Sequence, residues 1–307
     1  VMATAADLYV SPDGQGQYAT IADAVAAATH GDTVWLEAGV YAGPGNRDVS
    51  IYRDITIRAA DWPEPTVIDC EAAPETPRRA FVVEYCDAVF VGLTITGGRH
   101  ATGGAMTIEE GSPTIERCEF RGNHADTHGG AIHAFEAAQV TCERSIFARN
   151  RAGAGGGAIH ADGEAQVTLS RCTLVTNGAP SGGHVYLAGD GATVIDRSLL
   201  VFACEGAAVS DNYSPHGGQD GNIAADPLLA DPLGDQPDYR LTVGTPAWSG
   251  SDDCSRMGAV IFDGYSAAPI YGLEPDGSGM FATVQDAMDG IPAGAVIELA
   301  PDTFEGV

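Results

Sequence analysis

The chain has 307 residues and carries 42 acidic against 15 basic side chains, a net charge of −27. It contains no Lys, so every basic residue is Arg. Nucleic acid and membrane insertion are thereby excluded: the first needs a basic surface, and no apolar run approaches the ~20 residues that span a bilayer. The 40 Gly and 7% aromatic content suit a chain of many tight turns.

In chain order, Leu8-Tyr9-Val10 reads as a first strand, closed by the turn Ser11-Pro12-Asp13-Gly14. From Thr20 to Thr29, the apolar positions Ile21, Ala24, Val25 and Ala28 follow helical spacing. Thr20 is the expected N-cap, with Asp23 in place of the Glu of a capping box. This helix and its strand, residues 1–48, are expected to cover the open end of an apolar core, which otherwise exposes strand edges.

Residues 49–212 are expected to form coils. Gly-Gly recurs at Gly103-Gly104, Gly129-Gly130, Gly156-Gly157 and Gly182-Gly183, spaced 26, 27 and 26 residues apart. Apolar runs follow at fixed offsets, and Asn123, Asn150 and Asn177 close the units. Self-similarity at this period signals a solenoid. Three short strands per unit make a parallel β-helix. Ile115, Cys142 and Leu169 form one inward file, Cys118, Ser145 and Cys172 a second, and Phe120, Phe147 and Leu174 a third. Phe90, Leu93 and Ile95 extend these files upstream, and Ile195, Ser198 and Leu200 downstream. The stacked Asn residues are expected to hydrogen-bond along their file, as ladders do in other stacked-strand structures.

Residues 213–269 read as an irregular closing segment with a strand at Tyr239-Arg240-Leu241. Asp226, Asp231, Asp235 and Asp238 either gather around Ca²⁺ or, as Asp-Pro often does, simply start turns. Cys204 and Cys254 fall outside the inward files and are the remaining candidates for a disulfide. Residues 270–307 repeat the opening: Pro275-Asp276-Gly277 matches Pro12-Asp13-Gly14 at an offset of 263 that continues to Leu299 and Gly306.

Val10-Ser11-Pro12-Asp13-Gly14-Gln15-Gly16-Gln17-Tyr18-Ala19-Thr20-Ile21, with Ala38-Gly39-Val40-Tyr41, resembles the start of secreted β-helix proteins such as pectin methylesterases. The Gly-Gly-Ala-Ile units with their closing Asn resemble the repeats of bacterial polymorphic outer-membrane proteins. These resemblances imply an all-β, right-handed parallel β-helix with an N-terminal helical cap and the start of a second β-helix at the C-terminus. They also imply an extracellular or cell-surface location. The esterase motifs bearing catalytic Gln, Asp and Arg are absent, and a lyase with a Lys base is excluded by the missing Lys. A lyase using Arg and Ca²⁺ stays open; no cofactor is otherwise required.

One outward file stands apart. His133 and His160 share a coil position, with Thr107 before and Tyr186 after; two residues on, the file reads Glu109, Phe135, Asp162. His133, His160, Asp162, Phe135 and Tyr186 are read as either a solvated polar ladder, a sugar-binding face, or a metal-ligand or proton-transfer set. His124 and His128 are placed in a turn and given less weight. The leading functional expectation is a non-enzymatic surface protein, fibre subunit or adhesin; a carbohydrate-active enzyme or sugar-binding module is the alternative. Its partners would be further copies or tandem β-helix domains, joined through Ile270, Tyr271, Phe281, Val284, Ile297, Leu299 and Phe304, or a polysaccharide.

Overall fold

The computed structural model describes residues 5–61, 64–188, 192–196 and 198–201, together with four short strands between 229 and 299. The strands up to residue 201 stack in three long parallel sheets. The first sheet has eight strands, from Asp7–Val10 to Ala192–Asp196. The second has six, Val49–Ile51, Phe81–Glu84, Met106–Glu109, Ile132–Phe135, Ile159–Ala161 and Val185–Leu187. The third has seven, from Gly39–Tyr41 to Leu199–Val201. Each coil visits the second, first and third sheets in turn. The central coils then add a fourth short strand: Arg99–Thr102, His124–His128 and Arg151–Ala152 form their own parallel strip. The expected three strands per unit are therefore four here, and His124 and His128 lie on a strand rather than in a turn.

The inward files pack as the period-two alternation requires. Ile115 registers with Cys142 and Cys142 with Leu169, all fully buried. Phe120 registers with Phe147, their rings 5.0 Å apart and 5° from parallel. The file of Cys118, Ser145, Cys172 and Ser198 alternates thiol and hydroxyl. The Cys118 and Cys172 backbone N–H groups donate to Ser145 Oγ at 3.2 Å and Ser198 Oγ at 2.9 Å. All described cysteines are free thiols, and burial pushes Cys118 and Cys172 up to about 12. They serve as small core residues, not as reactive ones. Cys204 and Cys254 lie outside the described residues.

Two devices hold the coils in register. In the Asn ladder, Asn123 Nδ2 donates to Asn150 Oδ1 at 3.1 Å and Asn150 Nδ2 to Asn177 Oδ1 at 3.0 Å. The second amide hydrogens reach Ile95 O, Phe120 O and Phe147 O. The Gly-Gly doublets explain themselves. The first Gly of each pair has positive φ, between +56° and +68°. A Cβ on Gly104, Gly130 or Gly157 would run into the carbonyl oxygen of the next coil's glycine. The corner between first and third sheets uses Gly92 once and then Arg117, Arg144 and Arg171 at φ of 52°, 48° and 53°. Neighbouring coils fix that corner so firmly that a left-handed Arg, costing about 1–2 kcal/mol, is tolerated.

The helix Ile21–Ala27 covers the first end. Thr20 Oγ1 accepts from the Asp23 backbone N–H and donates to its carboxylate, while Ile21, Ala24 and Val25 are buried. Far along the chain, Ile270–Leu273 pairs in parallel with Val296–Leu299, Ile270 opposite Val296 and Leu273 opposite Leu299. The opening strands pair Asp7 with Thr33 and Val10 with Leu36, the same register at the same offset of 263. Leu229–Asp231 pairs antiparallel with Asp238–Leu241.

Candidate functional site

The outward file of the second sheet is in register, Val82 with Thr107, Thr107 with His133, His133 with His160, and His160 with Tyr186. Alternation aims these side chains away from the core, yet it does not leave them in water. His160 is 2% exposed and Thr107 8%. The reading of this file as a solvated ladder is therefore wrong for its centre. The cause is the extra strand. The chain from the short strip returns across the outer face of the second sheet. It brings the His128 ring to 4.3 Å from His160 and 6.3 Å from His133. Gly155 lies so close that a Cβ there would sit 3.1 Å from the Tyr186 ring and 3.3 Å from His160 Nδ1. The cover thus depends on a residue without a side chain.

The rings form a continuous stack. His133 lies 5.1 Å from His160 edge-on, His160 stacks on Tyr186 at 5.1 Å, and His133 stacks on Phe135 at 5.2 Å. Asp162, exposed, offers a carboxylate oxygen within 4.8 Å of a nitrogen from each of His133 and His160. All five residues singled out in the sequence thus meet on one face. Burial, reinforced by the neighbouring His128, holds His133 down to about 4 and His160 down to about 3, so both are neutral imidazoles near pH 7. Neither nitrogen of His133 has a hydrogen-bond partner among the described residues, and Nδ1 of His160 meets only the Gly155 backbone, short of full hydrogen-bond geometry.

Beside this stack runs a groove of about 370 Å³. Val82, Thr107, Glu109, His133 and Phe135 form its floor, and Asp48, Arg79, His100 and Thr102 its wall. Arg79, 6% exposed, donates from its guanidinium to His100 Nδ1, and its backbone N–H donates to Asp48 Oδ1 at 3.1 Å. Burial lowers Arg79 to about 10, with Asp48 opposing. Burial and then the Arg79 charge lower His100, which fits its role as acceptor. Glu109 accepts from Tyr85 Oη at 2.8 Å.

Sequence reasoning missed Arg79, His100 and Asp48, which the period does not mark, and gave too little weight to His128, which it does. Thr102, His128, Gly155 and Ser181 each immediately precede a Gly-Gly doublet, a file visible in the repeat. Of the residues proposed for Ca²⁺, Asp226 and Asp235 lie outside the described residues, and Asp231 ends the strand Leu229–Asp231. Of those proposed for self-association, Ile270, Tyr271, Ile297 and Leu299 lie on the paired strands, while Phe281, Val284 and Phe304 lie outside the described residues.

Stacked coils with three parallel sheets and a covered end define a parallel β-helix. A family model described as a right handed beta helix region matches residues 48–200, the stretch that holds most of the stacked coils. Among solved structures, the crystal structure of pectate lyase Pel9A is similar at a TM-score of 0.35 and 14% identity, covering 84% of this chain and 96% of that one. That likeness concerns the fold alone. No curated protein matches.

Proposed function

We propose that this chain is a non-enzymatic extracellular or cell-surface β-helix protein that binds a polysaccharide along the outer face of its second sheet. The groove floored by Thr107, Glu109, His133 and Phe135 carries the reading. An aromatic ring suits the C–H face of a sugar, and fixed carboxylates accept sugar hydroxyls. The net charge of −27, with Glu84 and Glu109 on the groove, favours a neutral glycan over an acidic one. The test is binding to a panel of neutral and acidic polysaccharides, with product absorbance followed in parallel. Binding of a neutral glycan, weakened at least tenfold by Phe135→Ala and without cleavage, is expected. No binding across the panel overturns the reading.

A second reading rests on Arg79. An Arg whose affinity for its proton is lowered, beside Asp48 and Glu109, is the arrangement that an Arg-based lyase needs. Its near-complete burial and its bond to His100 count against it. Unsaturated products from an acidic polysaccharide, suppressed by chelator, would decide for the lyase.

The partner we propose for residues 270–307 is a further β-helix, either another copy met head to tail or a tandem domain. Identical strand register in the opening and in this repeat supports that reading. Electron microscopy of the full chain at high concentration should show rods of stacked units. Monomers alone would overturn self-assembly.

A further inference from the structure

We propose that His133, His160 and Asp162 form a binding site for a divalent transition-metal ion of the Zn²⁺ class. The site stands independently of the carbohydrate reading. Among the described residues this is the one group of three or more His, Cys, Asp or Glu side chains whose donor atoms converge, all within 4.8 Å of one another. The spacing is built by the fold. Register places the two imidazoles on adjacent strands, and Asp162 follows two residues after His160, on the same face of its strand. Donors around Zn²⁺ at about 2.0–2.1 Å lie about 3.3 Å apart in a tetrahedron, so the closure needed is at most about 1.5 Å. Asp162 is exposed; its Oδ1 accepts from the Gly163 backbone N–H at 2.7 Å, which leaves Oδ2 to turn toward the ion.

A second observation points to a ligand. His160 is 98% buried by its 2% exposure, and its Nδ1 meets only the Gly155 backbone, short of full hydrogen-bond geometry. Both nitrogens of His133 are buried with no hydrogen-bond partner among the described residues. A buried polar atom left unpaired costs about 1–3 kcal/mol, and the His133 ring carries two of them 5.1 Å, ring to ring, from His160. A metal ion satisfies imidazole lone pairs that no protein donor reaches. Two imidazoles and one carboxylate select a borderline transition metal over Ca²⁺ or Mg²⁺, which prefer all-oxygen sets. The protein supplies three ligands, so a tetrahedral ion keeps a position for solvent or a ligand on the Asp162 side. The His128 ring stands beside the site, 4.3 Å from His160 and 6.3 Å from His133.

The test is calorimetric titration of the chelator-treated full chain with Zn²⁺ at pH 7.5, followed by X-ray absorption of the loaded protein. We expect about one ion per chain and two imidazole scatterers at about 2.0 Å. Asp162→Asn is an exposed change that leaves the fold intact, and it should weaken binding at least tenfold. His160→Gln should abolish it, with circular dichroism reporting that the coils persist. His30→Asn, on the separate exposed His30–Asp54 pair, should change nothing. No uptake, uptake unchanged in Asp162→Asn, or a metal shell without imidazole overturns the proposal.

Discussion

The two faces of one strand make the informative contrast. On Ile132–Phe135, Ile132 and Ala134 point into the core and are fully buried, while His133 and Phe135 point out and are only partly exposed. One coil further, Ile159, Ala161 and the outward His160 are all buried. The inner face is dry because coils stack; the outer face is dry because a fourth strand folds back over it. Alternation thus fixes the direction of a side chain but not its surroundings. Dry apolar atoms cost nothing further, whereas dry imidazoles need partners, and that difference separates structure from candidate function.

Breaking the inner face should have the largest effect. Phe147→Ala removes a ring stacked between Phe120 and Leu174, and should cost about 3–5 kcal/mol in denaturant unfolding. A loss below about 1 kcal/mol would mean that the file is not closely packed.

The outer face should show itself through pH. His133 and His160 have folded values of about 4 and 3, below the free value near 6.5. The unfolded chain therefore binds more protons between those limits, and stability falls as pH drops from 6.5. By pH 5 the loss should be about 2 kcal/mol for each ring, measured with chelator present. His100 and His124, also lowered by burial, act in the same direction. Glu119, raised by burial, acts in the opposite one. His160→Phe keeps a ring in place and should remove about half of the slope due to this pair. An unchanged slope would place the acid sensitivity elsewhere.

The smallest effect tests the cover. Gly155→Ala sets a methyl 3.1 Å from Tyr186 and 3.3 Å from His160, so the overlying chain must shift by a few tenths of an ångström. The cost should be about 1–3 kcal/mol, with the nearby His signals moved in NMR spectra. A neutral result would indicate that the covering segment stands off the sheet.

Much of the fold was legible because stacking repeats the same chemistry. Ile115, Cys142 and Leu169, the Phe120 file and the Asn ladder announce themselves at 26–27 residues, and each occupies its expected place. The site was legible in part. His133, His160, Asp162, Phe135 and Tyr186 share a face because register alone puts them there. Their dehydration was not readable, since it depends on the strand His124–His128 folding across them. That strand has the apolar residue Ala125 among polar ones, a pattern too weak to set against a turn. Arg79 and His100 meet through tertiary packing between a turn and the short strip, and no periodic signal links them. The left-handed Arg117, Arg144 and Arg171 were invisible for another reason: the corner is imposed by neighbouring coils against the local preference.

The most direct measurement is a titration of the histidine rings by NMR in the presence of chelator. Closure of the outer face predicts that His133 and His160 stay neutral until the pH approaches 4 and 3. Two rings titrating together near 6.5 would show a face open to water, and would contradict the covered site.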